Sequence, residues 1–124
     1  IIKCDWSSDV CSSDLSGLTY GFQMQGNIDA AYRKLKVAED LRLGTLDEFI
    51  TKLAGIPLQF SPGDAWNYSV STDVLGYLVE VISGQKFEDF LQQRIFGPLG
   101  MTDTAFHVSE DKLGRFTEGF AAPA

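Results

Sequence analysis

The chain of 124 residues carries 10 basic and 17 acidic side chains for a net charge of −7, with 44 % hydrophobic residues, two cysteines and one histidine. The acid excess argues against nucleic acid or an anionic membrane as partner, and no apolar run reaches the roughly 18 residues of a membrane span. No Gly-rich phosphate loop occurs, and the length suits one small domain that would bury about 65 % of its unfolded surface.

The first stretch to explain is Asp5 to Leu15, DWSSDVCSSDL. Ser-Ser-Asp recurs at 7–9 and 12–14, and Trp6, Val10 and Cys11 follow neither a helix nor a strand period. One reading is a low-complexity surface tail, since Ser and Asp bury little apolar area. A second is a metal or redox site at Cys4 and Cys11, but their spacing fits neither C-x-x-C nor a zinc ligand set. In a third, the stretch resembles, residue for residue, the translation of a common high-throughput sequencing adapter. Residues 1–15 are therefore expected to be adapter-derived and not native, and are set aside. Residues 16–124 are then expected to be the middle portion of an incomplete domain. Losing three Asp and one Lys brings the charge to −5 and leaves no cysteine. Neither a disulfide framework nor a compartment can then be read.

Ser16 to Gly26, SGLTYGFQMQG, reads as a surface loop. Asn27 is placed to cap a helix in which Ile28, Ala31, Tyr32 and Leu35 form one stripe. After Gly44, Thr45-Leu46-Asp47-Glu48 is a capping box, followed by the stripe Leu46, Phe49, Ile50 and Leu53 and by the stops Gly55 and Pro57. Leu58 to Phe60 reads as extended and Ser61 to Asp64 as a turn. Val74, Leu75, Leu78, Val79 and Ile82 make the widest apolar stripe, which predicts a central helix closed by Gly84. Phe87, Phe90, Leu91 and Ile95 mark a further helix ended by Gly97 and Pro98. A turn and a short extended segment follow, with no element expected after Lys112.

From Pro62 to Phe106 the chain resembles the serine β-lactamase and penicillin-binding-protein family, in the class C-related branch with the family VIII carboxylesterases and D-alanyl-D-alanine carboxypeptidases. The residues that carry this are Pro62-Gly63, Trp66-x-Tyr68-Ser69, Leu75-Gly76, Glu80, Ser83-Gly84, Phe90, Ile95-Phe96-x-Pro98-Leu99-Gly100-Met101 and Asp103-Thr104. SGLTYGF at 16–22 resembles the loop after a His-Thr dipeptide in the same branch. The resemblance implies an α/β architecture, a β-lactamase/transpeptidase-like fold of which this chain holds predominantly the helical part with short extended segments. It also implies acyl transfer through a serine ester on a small-molecule ester or amide, without metal or cofactor.

In that family the Ser of an S-x-x-K motif is acylated, its Lys helps remove the proton, and a Tyr assists as base or relay. The resemblance carries only Tyr68 across as a catalytic residue, with Trp66 as a substrate-binding wall. A phenol of ordinary pKa is only about 0.1 % ionised at neutral pH, so it needs nearby cations to act as a base. Read by itself, Tyr68 is as well explained as an aromatic filling a turn, and Trp66 as plain packing. Val70 stands where the lactamase pattern has Asn, which favours esters over β-lactams.

Two S-x-x-K strings, Ser83 to Lys86 and Ser109 to Lys112, are expected to be decoys, because the mechanism needs Ser and Lys one turn apart on a helix. His107 has no G-x-S-x-G partner and reads as a solvated loop residue. Asp47-Glu48, Glu88-Asp89 and Glu110-Asp111 read as solvated helix-end charges. The upstream serine and lysine and a late-strand motif beyond Ala124 are expected to lie outside the chain, which should be inert alone. It should also self-associate through apolar surface meant for an absent sheet. The alternative is a non-catalytic helical domain that binds a partner.

Overall fold

The computed structural model describes residues 8–24, 26–37 and 44–117, in two units, Ile1–Gln85 and Lys86–Ala124. The expectations at Cys4 and over 118–124 lie outside the described residues.

Among its described residues the first unit holds four α-helices, α1 (Ser8–Ser12), α2 (Asn27–Lys34), α3 (Leu46–Leu53) and α4 (Ser71–Ser83). A 3-10 turn spans Gly21–Gln23. Of the stretch set aside in the sequence, residues 8–15 pack into this unit and form no surface tail: Cys11 is buried, α1 packs against α4, and the chain around it is tied down. Gly63 N donates to Leu15 O at 2.8 Å and Asn67 N to Asp14 O at 2.9 Å.

At the start of α2 the sequence reading is off by one residue. Asn27 is already helical, and the cap is supplied from inside the helix, where Asp29 Oδ1 accepts from Gly26 N at 3.0 Å. A carboxylate in the first turn satisfies an orphan donor and also suits the positive end of the helix. The capping box of α3 forms as expected, with Glu48 N donating to Thr45 Oγ1 at 3.2 Å and Thr45 N to Glu48 Oε2 at 2.9 Å.

The stripes of α2 and α3 build the core. Tyr32, Phe49 and Leu53 are buried with Leu18, Val37, Ile56, Val70 and Val74, and Ile28, Ala31, Leu46 and Ile50 pack around them. Phe49, fully buried, contributes about 1.5–3 kcal/mol by removal from water. The widest stripe is not central. Only the N-terminal half of α4 is buried, at Ser71, Val74 and Gly76, while Val81 and Ile82 are 61 % and 78 % exposed. Periodicity finds an apolar face but not what covers it. Tyr77 Oη, donating to Asp47 Oδ1 at 2.9 Å, ties α4 to α3.

Gly17 requires its lack of a side chain. Its φ is +78°, and a Cβ would lie 2.3 Å from Phe60 O. The close approach lets Gln59 N donate to Gly17 O at 2.8 Å, so the expected extended piece 58–60 is present as one backbone bond and not as a strand. The turn at Ser61–Asp64 closes through Asp64 N to Ser61 O at 3.1 Å, with Gly63 at φ +92°. Gly84, at φ +66°, ends α4 by donating to Glu80 O at 2.9 Å.

The second unit opens with α5 (Phe87–Leu91), which widens into a π-turn over Gln92–Phe96. Gly97 N donates five residues back to Gln92 O at 2.8 Å. Pro98 has no N–H to continue the ladder, and a Cβ on Gly97 would sit 2.9 Å from Gln92 O. Residues 102–108 form turns and bends where an extended segment was expected. A 3-10 helix spans Glu110–Arg115 and so runs past Lys112, after which no element was expected. It is clasped by Asp103, which pairs with Lys112 Nζ at 3.1 Å and with the Arg115 guanidinium. The described residues are thus helical, with no strand among them.

Candidate active site

Tyr68 and Trp66 lie on the irregular segment between the Ser61–Asp64 turn and α4. That segment is held from two sides. Asn67 Nδ2 donates to Leu18 O at 2.7 Å. Gln23 Nε2 donates to Tyr68 O at 2.7 Å, and its Oε1 accepts from Thr19 Oγ1 at 2.9 Å. Behind them runs a line of hydroxyls: Ser69 Oγ donates to Asp14 Oδ1 at 2.9 Å, and Ser71 Oγ meets Ser69 Oγ and Ser16 Oγ, each at 2.6 Å. Ser16, Ser69 and Ser71 are buried, where unmet hydroxyls would each cost about 1–3 kcal/mol.

On this mount the Tyr68 side chain is half-exposed. Its ring meets that of Tyr20 at a centroid distance of 5.0 Å and an angle of 46°. Tyr20 in turn stacks on Phe22 at 4.9 Å and 19°. The row Phe22–Tyr20–Tyr68 is one aromatic surface. Trp66, two residues from Tyr68, is two-thirds exposed.

The surrounding field is acidic. Burial pushes the Tyr20 phenol up to about 12, with Asp73, Tyr68 and Asp14 adding in the same direction. Burial raises the Asp73 carboxyl itself, against a backbone hydrogen bond that lowers it. Burial also holds Tyr32 at about 12. A phenol that works as a base needs positive charge beside it, and the carboxylates near Tyr20 supply the opposite.

Neither S-x-x-K string makes a Ser–Lys pair on one helix face. Ser83 is the last residue of α4, followed by left-handed Gly84, and its Oγ accepts from Gln85 N at 3.2 Å. Ser109 precedes the 3-10 helix at its N-cap position without a side-chain cap bond, and Lys112 Nζ is engaged by Thr102 O and Asp103. His107, on an exposed loop, pairs Nδ1 with Glu88 Oε1 at 3.3 Å. The three acidic pairs sit in the first turns of α3, α5 and the 3-10 helix, as expected. Among the described residues no three His, Cys, Asp or Glu side chains converge to hold a metal, and no helix is long and apolar enough to cross a membrane.

Val70 is 1 % exposed and belongs to the core, so packing accounts for an apolar residue there. Sequence reasoning passed over Tyr20 and Gln23, which bear on Tyr68 directly. The signal was the loop SGLTYGFQMQG, of which SGLTYGF was noted as a motif but not resolved into residues, and in which Gln23 follows directly.

A helical chain with this loop and this tyrosine segment belongs to the Beta-lactamase family, whose description matches residues 15–124. The chain is 41 % identical over 100 residues to Protein Rv1367c of Mycobacterium tuberculosis, covering 81 % of this chain and 24 % of that protein. It is 37 % identical over 110 residues to Esterase EstB of Burkholderia gladioli, covering 87 % and 26 %. A putative D-alanyl-D-alanine carboxypeptidase of Escherichia coli K12 is 31 % identical over 80 residues, covering 64 % and 18 %. The chain thus spans a quarter or less of the length of these relatives, apart from the 26 % of EstB.

Proposed function

We propose that the chain is part of a serine hydrolase that cleaves a small ester or amide through an acyl-serine intermediate, with water as the final acceptor. The observation that carries this is Tyr68, half-exposed on a segment fixed by Asn67, Gln23 and the buried serines. A side chain on such a mount is held ready for a reacting group. In the complete enzyme the phenolate of Tyr68 accepts the proton of the attacking serine hydroxyl and passes it to the leaving group. Trp66 forms a wall for the substrate. The lysine, the serine and the strand that completes the oxyanion site are supplied by the rest of the enzyme. So is the sheet of the expected α/β architecture. With no Ser–Lys pair one turn apart among the described residues, the chain alone is inert. Residues 1–15 are foreign to the gene, a reading supported by a family match that takes in none of residues 1–14.

The test is to express the intact parent gene and assay its product with a chromogenic ester beside a chromogenic cephalosporin. Ester turnover should dominate, and Tyr68→Phe should lower kcat by about 10²–10⁴ while leaving the fold intact. A parent gene without an upstream Ser-x-x-Lys, or full turnover by the Phe variant, contradicts the proposal. The former result would favour a helical binding domain.

A further inference from the structure

Tyr20 has a second neighbourhood, apart from its contact with Tyr68. Its ring and that of Phe22 border a pocket of about 280 Å³ in the first unit, with Tyr32 and Val70 as further apolar wall. Its size is at the small end of ligand sites, which run roughly 300–1,000 Å³ and are mostly apolar with a few placed polar groups. Among the described residues, the charged side chains in the lining are Arg33 and Lys36, with no carboxylate. In a chain of net charge −7, both charged side chains of this described lining are basic, and Asp29 holds one of them, Arg33, in place.

Arg33 is both held and open. Its Nη1 donates to Gly21 O and to Asp29 Oδ2, the latter at 3.0 Å. Asp29 is itself buried and accepts from Gly26 N. Those two bonds use both Nη1 hydrogens. A guanidinium has five N–H donors, and Nε and Nη2 make no hydrogen bond to a described residue. The Nε–Nη2 edge is the one that takes a carboxylate in a bidentate fork. Its geometry is fixed in advance by Asp29 and the Gly21 carbonyl, which lowers the entropy cost of binding.

We propose that this pocket binds a small carboxylate with an aromatic or branched apolar body. Arg33 takes the carboxylate through its open edge, Lys36 adds positive charge, and the body lies against Tyr20, Phe22, Tyr32 and Val70. A planar two-oxygen anion suits the fork, and the apolar walls exclude a purely hydrophilic ion such as inorganic phosphate. The site does not include Tyr68 and does not depend on the role proposed for it.

Saturation-transfer NMR on the whole 124-residue chain tests this, with phenylacetate as probe and phenylacetamide as its neutral counterpart. Phenylacetate should receive saturation, and the amide should bind at least about tenfold more weakly, because it cannot form the charge-assisted fork. Arg33→Lys, which keeps the charge and loses the fork, should weaken phenylacetate about tenfold. Lys36→Gln and Phe22→Ala alter one exposed and one two-thirds exposed side chain, and each should weaken it with the circular dichroism unchanged. Should Arg33→Lys fail to fold, the amide and these two variants decide. Absence of saturation, equal binding of acid and amide, or unchanged binding by the folded variants overturns the proposal.

Discussion

The Tyr20 phenol is pushed up to about 12 chiefly by burial and next by Asp73. Asp73→Asn should therefore lower its titration midpoint in an ultraviolet phenolate titration, with Tyr20→Phe identifying the transition. An unmoved midpoint would show that Asp73 does not act on it. The sign for stability follows: a phenol whose folded pKa exceeds its ordinary 10.0 favours the fold below pH 10.0 and loses that contribution as pH rises towards about 12. Gly17→Ala places a methyl against Phe60 O at a positive φ. It should cost at least about 1–2 kcal/mol for the left-handed backbone alone, read as a lowered denaturant midpoint. Tyr68 and Trp66 were legible as motif residues because spacing along the chain defines the motif. Tyr20 and Gln23 were not, since their bearing on Tyr68 arises only when the 16–24 loop folds back across some 45 residues.

Local chemistry was the most readable at the scale of elements. The box at Thr45 and Glu48 needs only four consecutive residues, and Thr45→Ala should cost about 1 kcal/mol in a denaturant melt; no change would mean the cap is idle. Features that depend on a later residue or a distant neighbour escaped. The π-turn at Gln92–Phe96 follows from Pro98 and Gly97 together. The 3-10 helix at Glu110–Arg115 is held by Asp103, whose carboxyl is lowered to about 2 by Arg115 and then Lys112. A depressed carboxyl supports the clasp above its ordinary pKa near 3.8 and releases it as pH falls through about 2. NMR shifts of Arg115 should follow that transition and lose it in Asp103→Asn.

For the whole molecule, the two units differ in how they meet water. The first has a core around Phe49 and Leu53; the second has no buried residue among those described. Leu99, Leu113 and Phe116 are each more than half exposed, as is Ile82 at the end of α4. Where exposed apolar side chains join into a patch larger than a few hundred Å², they mark an interaction face. We propose that the isolated chain self-associates and binds a hydrophobic dye; a monodisperse, dye-negative monomer in sedimentation would contradict this. Helix periodicity picked out Ile82 but none of the other three, and it carries no information about the partner surface, and so α4 was expected at the centre when half of it faces solvent.

The central claim is that Tyr68 is one part of a catalyst whose serine and lysine come from elsewhere in a longer enzyme. Its most direct test is the hydrolysis of p-nitrophenyl butyrate by the 124-residue chain and by its Tyr68→Phe variant, at matched concentration and with folding checked by circular dichroism. The account predicts the same background rate for both. Turnover by the chain that Tyr68→Phe abolishes would contradict it.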